Sequence, residues 1–157
     1  MGKEIERRFL VQGDEWRSLG SGMDYQQGFL STVKERVVRV RIAGDKATLT
    51  IKGVMEGLSR LEFEYVIPKA DAQIMLNTLC ERPWIEKTRY RIPIGDLVWE
   101  VDEFRGANQG LLVAEVELTD ENQVVDLPTW VGQEVSSDSR YFNANLVHTP
   151  FSLWGKA

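Results

Sequence analysis

Alternation of charged and apolar residues is the main pattern of this chain. Between residues 3 and 11, Glu4, Glu6 and Arg8 share one phase of a two-residue period, and Ile5 and Phe9 share the other. The alternation recurs in later runs rich in β-branched and aromatic residues, with turn residues between them. The pattern therefore predicts strands over residues 3–11, 25–31, 37–43, 46–55, 58–67, 84–94, 97–104 and 111–119.

A helical period stands out at one place. After Pro68, apolar residues from Ala72 to Leu79 follow the i, i+3, i+4, i+7 spacing, and Pro83 lies beyond them. We expect a long helix there, shorter helical pieces near residues 14–19 and 127–132, and loops and short turns after Glu134. The strands follow one another too closely for parallel crossovers, which favours antiparallel hairpins. At this length, residues 1–157 are expected to form one domain.

The charged phase of the strands has two interpretations. In an open antiparallel sheet or sandwich it would be the solvent-facing side. Its charges, however, occur as acid-only and base-only pairs, such as Glu62 with Glu64 and Arg39 with Arg41. If eight strands close into a barrel, this phase becomes the interior. Unpaired charges in a dry interior cost several kcal/mol each, so the interior would have to be wet and filled by a ligand.

Composition limits the classes of protein and of metal site that are possible for this chain. The formal net charge of −5 disfavours general nucleic-acid binding, although a local cationic surface could still hold a small polyanion. The chain lacks a run of ~20 apolar residues, and its charged start lacks a signal peptide's apolar core, so we expect a cytoplasmic protein without a membrane span. Cys80 and His148 are the single cysteine and histidine, which excludes a Cys/His zinc cluster. Any metal must be held by oxygen atoms.

The order of the charged pairs carries a family resemblance. Glu-x-Glu-x-basic at residues 4–8 is followed by Arg-x-Arg at 39–41, a lysine that ends a Thr-x-Thr strand, Glu-x-Glu at 62–64, Lys-x-Arg at 87–89, an aspartate at 102 and Glu-x-Glu at 115–117. Residues 134–143 add a Glu-Val-Ser and an Arg-Tyr-x-Asn segment. This set resembles the CYTH superfamily, also called triphosphate tunnel metalloenzymes, and within it the short bacterial inorganic triphosphatases. One departure is Arg8, where the family usually has lysine.

The resemblance implies a mainly β (α+β) fold, an eight-stranded antiparallel closed barrel with a few flanking helices, whose interior binds a linear triphosphate with Mg²⁺ or Mn²⁺. Charge-assisted hydrogen bonds to phosphate oxygens are expected from the basic residues Arg8, Arg39, Arg41, Lys52, Lys87, Arg89 and Arg140. Metal binding is expected from the acidic residues Glu4, Glu6, Glu62, Glu64, Asp102, Glu115 and Glu117. Lys87, with Tyr25 assisting, is the expected catalytic base.

The function expected from this resemblance is metal-dependent hydrolysis of inorganic triphosphate to pyrophosphate and phosphate. A class IV-type adenylate cyclase, a thiamine or nucleoside triphosphatase and a non-catalytic polyphosphate-binding module stay open as alternatives. The expected partner is a small-molecule triphosphate, with no nucleic acid and no membrane. We also expect a homodimer, because a single long helix leaves much of the barrel's apolar outer face without cover.

Overall fold

The computed structural model describes residues 2–155. Within this range the chain forms nine strands and two α-helices, joined by loops and short 3-10 turns. The elements in chain order are β1 (Lys3–Val11), β2 (Ser21–Ser31), β3 (Val37–Ala43), β4 (Lys46–Lys52), β5 (Ser59–Ile67), α1 (Lys69–Thr78), β6 (Ile85–Ile94), β7 (Leu97–Phe104), β8 (Leu112–Glu117), β9 (Val131–Glu134) and α2 (Asn143–His148). Neither helix is long and apolar enough to span a bilayer.

Strand pairing closes the sheet into a barrel. The neighbours run β5-β4-β3-β2-β6-β7-β8-β1, and β1 pairs with β5 to complete the ring of eight antiparallel strands. Strand β1 changes its partner along its length. Its first residues pair with β5, from Lys3 opposite Leu61 to Ile5 opposite Ser59, and its last residues pair with β9. The predicted eight-stranded antiparallel barrel is confirmed.

Two local predictions are wrong. The segment 127–132 was expected to be helical, but Val131 begins β9 and pairs with Val11, because the free edge of β1 offers backbone partners there. The tail after Glu134 was expected to be loop, but it contains α2. A helix of six residues gains little from its own sequence, and its stability comes from burial of Leu146 and Val147.

The outer face of the barrel is covered unevenly. Residues Ala72 and Leu76 of α1 are fully buried and pack on the apolar phase of β3 and β4. A second cluster, centred on Trp99, packs under Trp16 and Trp130 from the flanking loops. The outward side chains of β4 and β5 have little cover and are 40–59% exposed; they are Ile51, Leu61, Phe63 and Tyr65.

One end of the barrel is closed by the C-terminal segment. At this end the inward phase of the strands changes from charged to apolar, with Phe29, Val37, Ile85, Phe104 and Val113. These side chains form one buried cluster with residues of the tail, namely Val135, Tyr141, Leu146 and Val147. The interior is therefore apolar at this end and charged along the rest of its length.

Candidate functional site in the barrel interior

The barrel encloses a cavity of about 510 Å³ whose wall is mostly charged. Side-chain alternation along the strands points every second residue into this space. Most of the residues predicted for the site line it. They are Glu4, Glu6, Arg8, Tyr25, Arg39, Arg41, Lys52, Glu62, Glu64, Lys87, Arg89, Glu115 and Glu117. The structure thus brings together residues that are spread over more than a hundred positions of the sequence.

Register between strands sets which charges meet. Glu6 lies opposite Glu117, and Arg8 lies opposite Glu115, across the β1–β8 pair. Within strand β1, Arg8 Nη2 also donates to Glu6 Oε1 at 2.8 Å. The alternation of each strand is a local property, but only the register of the closed sheet decides which acid faces which base.

Asp102 lies behind the cavity wall instead of lining it. It is fully buried, and its Oδ2 accepts from Lys87 Nζ at 2.7 Å. Its Oδ1 accepts from Arg89 Nε at 2.7 Å. Burial alone would raise the pKa of Asp102, but Arg89 and Lys87 outweigh burial and lower it. Both oxygens are occupied by cations, so this carboxylate holds Lys87 and Arg89 in place and does not face the cavity as the expected metal ligand would.

Arg140 does not reach the cavity either. Its side chain is 61% exposed and binds Asp138 Oδ2 at 2.7 Å on the outside of the molecule. Its guanidinium carbon lies 5.0 Å from the centroid of the Trp154 ring. These two contacts keep the guanidinium at the surface, so the predicted phosphate contact from Arg140 has no support in this geometry.

The acidic side of the cavity has more carboxylates than its cations neutralise. Burial, followed by the charges of Glu115 and Glu4, raises the pKa of Glu6 to about 8. Burial and the charge of Glu4 also raise the pKa of Glu117. Lys52 Nζ, 3.2 Å from Glu4 Oε1, offsets part of this repulsion. A bound cation would relieve the rest.

The acids do not form a complete metal site by themselves. Among residues 2–155, no group of three or more Asp, Glu, His or Cys side chains is arranged to hold an ion. Mg²⁺ usually takes one or two carboxylates and completes its shell with waters and substrate phosphates. The oxygen-only wall and the raised pKa of Glu6 fit this mode of binding, in which ion and anion arrive together.

On the basic side of the cavity, the cations have fewer carboxylates to pair with than they need. Burial, followed by the charges of Arg39 and Arg89, lowers the pKa of Arg41 to about 9. No carboxylate among the described residues forms an ion pair with Arg41, whose Nε donates to the neutral Gln27 Oε1 at 2.6 Å. Burial also lowers the pKa of Lys87 to about 7, with smaller contributions from the charges of Arg89 and Arg41 and against the opposing charge of Asp102.

Two buried guanidinium N–H groups lack an acceptor. The Nε atoms of Arg8 and Arg39 are buried and form no hydrogen bond within residues 2–155, although Arg8 Nε lies 3.5 Å from Glu115 Oε1. An unsatisfied buried donor costs about 1–3 kcal/mol, more when the group is charged. Together with Arg41, these donors prepare this side of the cavity for an anion rich in oxygen atoms.

Aromatic rings hold the cations in place. The Tyr25 ring centroid lies 4.8 Å from Arg41 Cζ and 5.2 Å from Arg89 Cζ. The Phe142 ring centroid lies 5.2 Å from Arg8 Cζ. Such contacts contribute about 0.5–2 kcal/mol each, depending on how well the cation is shielded from water.

Three residues in or behind the cavity wall are not singled out by the pattern of charged pairs. Arg60 lines the cavity, and its Nε donates to the Gly53 carbonyl at 3.0 Å. It shares the inward phase of Glu62, so the alternation could have revealed it. Gln27 shares the phase of Tyr25 but carries no charge, and Asn143 comes from α2, which the strand pattern does not include.

Known proteins resemble this chain over nearly its whole length. An inorganic triphosphatase of Acetivibrio thermocellus is 52% identical over 151 residues, which cover 96% of this chain and 97% of that protein. An inorganic triphosphatase of Nitrosomonas europaea is 37% identical over 148 residues, which cover 91% of this chain and 95% of that protein.

Solved structures share the architecture. A crystal structure of an inorganic triphosphatase superposes with a TM-score of 0.66 at 31% identity, covering 91% of this chain and 96% of that one. A Pyrococcus horikoshii protein superposes with a TM-score of 0.60 at 15% identity, over 76% of this chain and 80% of that one, and shows the shared fold alone. The CYTH domain model matches residues 2–149. With this match and the barrel lined by paired acids and bases, the chain belongs to the CYTH family.

Proposed function

We propose that this protein hydrolyses inorganic triphosphate to pyrophosphate and phosphate inside its barrel, with the help of a divalent metal ion. The observation that carries the proposal is Arg41, a buried guanidinium in the cavity wall without a carboxylate partner among the described residues. A buried cation in this state favours an anionic ligand. The inorganic triphosphatases that the chain resembles support an enzyme that cleaves phosphoanhydride bonds.

The basic side of the cavity would bind the phosphate chain. Arg39, Arg41 and Arg89 present planar forks that suit phosphate oxygens, and Lys52 and Lys87 add compact charges. Arg8 keeps the charge of the lysine usual in the family, and its Nε, 3.5 Å from Glu115 Oε1, is a donor that lysine lacks. A linear anion with many oxygen atoms satisfies these donors better than a single phosphate.

The acidic side would hold the metal ion. Glu4, Glu6 and Glu117 are the best candidates, with Glu62, Glu64 and Glu115 in the same wall. Mg²⁺ or Mn²⁺ fits carboxylate oxygens, and such an ion supplies neutralisation of the phosphate charge and polarisation of the scissile bond. Asp102 takes the role of a partner for Lys87 and Arg89 instead.

Lys87 would accept the proton of the attacking water. Because its pKa is lowered to about 7, a substantial fraction of the side chain is a neutral amine near neutral pH. The water oxygen forms a bond to a terminal phosphorus, the phosphoanhydride bond breaks, and pyrophosphate leaves with the bridging oxygen. Tyr25 would hold the neighbouring guanidiniums through the face of its ring.

The first test is turnover with defined metals. Purified protein is incubated with inorganic triphosphate and Mg²⁺, Mn²⁺ or EDTA, and released phosphate and pyrophosphate are measured. We expect equal amounts of the two products, formed in the presence of metal and lost in EDTA. Failure to release either product with any of these ions would refute the proposal.

Neighbouring residues on opposite faces of β1 supply a matched control. Arg8 faces the cavity, whereas Arg7 lies outside and pairs with Glu134 Oε1 at 2.7 Å. We expect Arg8→Gln to lower kcat/KM by at least about tenfold, the loss of one charge-assisted contact, and Arg7→Gln to leave it within a factor of two. Equal effects of the two changes would contradict a site in the lumen.

The same assay separates the alternatives. With ATP, a cyclase would release pyrophosphate and a cyclic nucleotide, whereas a nucleoside or thiamine triphosphatase would prefer those substrates over inorganic triphosphate. Tight binding without turnover would leave a polyphosphate-binding module. The expected cytoplasmic location stays a prediction. Fractionation of the source cells tests it.

A further inference from the structure

Gln27 is a neutral side chain enclosed among charges. It belongs to β2, is fully buried, and forms a contact at each end of its amide group. Its Oε1 accepts from Arg41 Nε at 2.6 Å, and its Nε2 donates to Asn143 Oδ1 at 3.0 Å. This one side chain therefore connects a cation of the barrel wall to the C-terminal helix α2.

Asn143 completes a continuous chain of hydrogen bonds. Its Oδ1 also accepts from Lys87 Nζ at 3.0 Å, and Lys87 in turn donates to Asp102 at 2.7 Å. Arginine and protonated lysine can only donate. Both amide groups therefore have one possible orientation, with the oxygen of Gln27 towards Arg41 and the oxygen of Asn143 towards Lys87.

We propose that Gln27 and Asn143 are a pair of positioning residues, which hold Arg41 and Lys87 in the orientation that binds a triphosphate. The inference rests on the proposed function and adds two residues to it. Neither amide transfers a proton or binds metal in this scheme. Their effect is exerted through the two cations, one on β3 and one on β6.

The pair determines which N–H donors of Lys87 and Arg41 point towards a ligand. Asp102 and Asn143 accept two N–H donors of Lys87, which leaves its lone pair for the attacking water in the neutral amine and one N–H for a ligand in the ammonium. Gln27 takes the Nε donor of Arg41, which leaves the terminal fork for phosphate oxygens. Without the pair, both cations could rotate, and a displacement of about 1 Å can cost roughly a hundredfold in rate.

The pair also gives α2 a part in the site. The backbone of α2 is anchored by Leu146 and Val147 in the apolar cluster at the closed end of the barrel. Its first residue, Asn143, accepts from Lys87 directly and is linked to Arg41 through Gln27. Docking of the C-terminal segment and the arrangement of the phosphate-binding side are therefore joined through one amide oxygen.

The test compares near-isosteric apolar variants in the full chain. Gln27→Met and Asn143→Leu remove the hydrogen bonds with little change of volume, and Gln26→Met makes the same change one residue earlier on the outer face of β2. For inorganic triphosphate with Mg²⁺, we expect KM to rise about tenfold or more in both lumen variants. The control should keep the wild-type KM and kcat.

A double variant tests whether the two amides act as a unit. If they do, Gln27→Met with Asn143→Leu should be no worse than the more damaging single change. Gln27→Glu gives Arg41 a carboxylate partner and removes the donor to Asn143, so it should raise KM at least as much as Gln27→Met. A merely structural role would lower the melting temperature of each variant and leave its KM at the wild-type value.

The outcomes separate the two proposals. If the wild type neither binds inorganic triphosphate in calorimetry nor hydrolyses it, the proposed function is wrong and the positioning pair falls with it. If the wild type is active and the folded variants keep its KM and kcat, the pair alone is refuted. Losses that multiply in the double variant would also overturn the pair, because they would show two independent residues.

Discussion

The carboxyl group of Glu6 shows how the lumen shapes single residues. Its pKa is raised from 4.5 to about 8 by burial and by the charges of Glu115 and Glu4, against the opposing charges of Arg8 and Lys52. Between these two values the folded protein keeps a proton that the unfolded chain has released. Stability therefore falls as the pH rises through this interval.

The fall in stability with rising pH can be measured. For the metal-free protein, we expect the melting temperature to decrease between pH 5 and pH 7, an interval that lies below the opposing change from Lys87, whose pKa is about 7. Glu6→Gln should make this decrease smaller, because glutamine does not titrate. Differential scanning calorimetry in EDTA measures both, and an identical slope in the variant would contradict the assignment.

Asp102 accepts hydrogen bonds from two buried cations, Lys87 and Arg89. Asp102→Asn removes the negative charge between two buried cations, so we expect a loss of about 3 kcal/mol in the free energy of unfolding. Asp24→Asn is the control, because Asp24 pairs with Arg105 at the surface with its side chain 77% exposed. An exposed pair contributes about 0–1 kcal/mol. Urea denaturation compares the two, and similar losses would refute the distinction.

At the scale of elements, the approach of α1 to the barrel depends on Gly28. A Cβ atom built at this residue would lie 2.7 Å from Leu76 Cδ2 and 2.8 Å from Cys80 Sγ. These distances are shorter than real contacts allow. The helix can therefore cover β2, β3 and β4 only because β2 has no side chain at this point.

Gly28→Ala tests this close packing. Because the added methyl group must displace α1, we expect a loss of about 1–3 kcal/mol in the free energy of unfolding. Gly53→Ala is a suitable comparison, since a Cβ there would lie 3.5 Å from its nearest neighbour, at Leu61. Chemical denaturation compares the free energy of unfolding of both variants with that of the wild type. A stable Gly28→Ala variant would mean that α1 has room to move.

At the scale of the whole molecule, the barrel contains opposite charges that a ligand would balance. Occupation of the basic side should stabilise the entire fold, since a ligand at a hundred times its Kd contributes about 2.7 kcal/mol. For a protein of this size that corresponds to an increase of roughly 5–10 °C in melting temperature.

Inorganic triphosphate in EDTA tests this effect without turnover. We expect it to raise the melting temperature of the wild type, because Arg41 and its neighbours gain an anionic partner. In Arg41→Met the increase should be much smaller. Sodium sulfate at matched ionic strength is the control for unspecific salt effects, and an equal increase with sulfate would argue against a site for linear phosphates.

The expected homodimer also belongs to this scale and stays a prediction. Light scattering of the purified protein would show a mass of twice 18.0 kDa if the dimer forms. The exposed outer face of β4 and β5 provides the variant to compare, Phe63→Ser, since Phe63 is 43% exposed there. A mass of one chain at all concentrations would refute the prediction.

The eight barrel strands and the two faces of each follow from local patterns in the sequence. Alternation with period two is a local property, so Glu4, Glu6 and Arg8 could be assigned to one side without knowledge of the fold. The same rule would have added Arg60, which continues the phase of Glu62. The order of the charged pairs supplied the family resemblance, and with it the barrel.

Features that depend on residues distant in the sequence follow only from the folded sheet. Strand β9 formed where a helix was expected because the free edge of β1 needed backbone partners, and α2 formed because its apolar side chains close one end of the barrel. Asp102 and Arg140 carry the expected charges, but the positions of their partners direct one behind the wall and the other to the surface. Strand phase is set residue by residue, whereas partners are chosen only when the whole sheet closes.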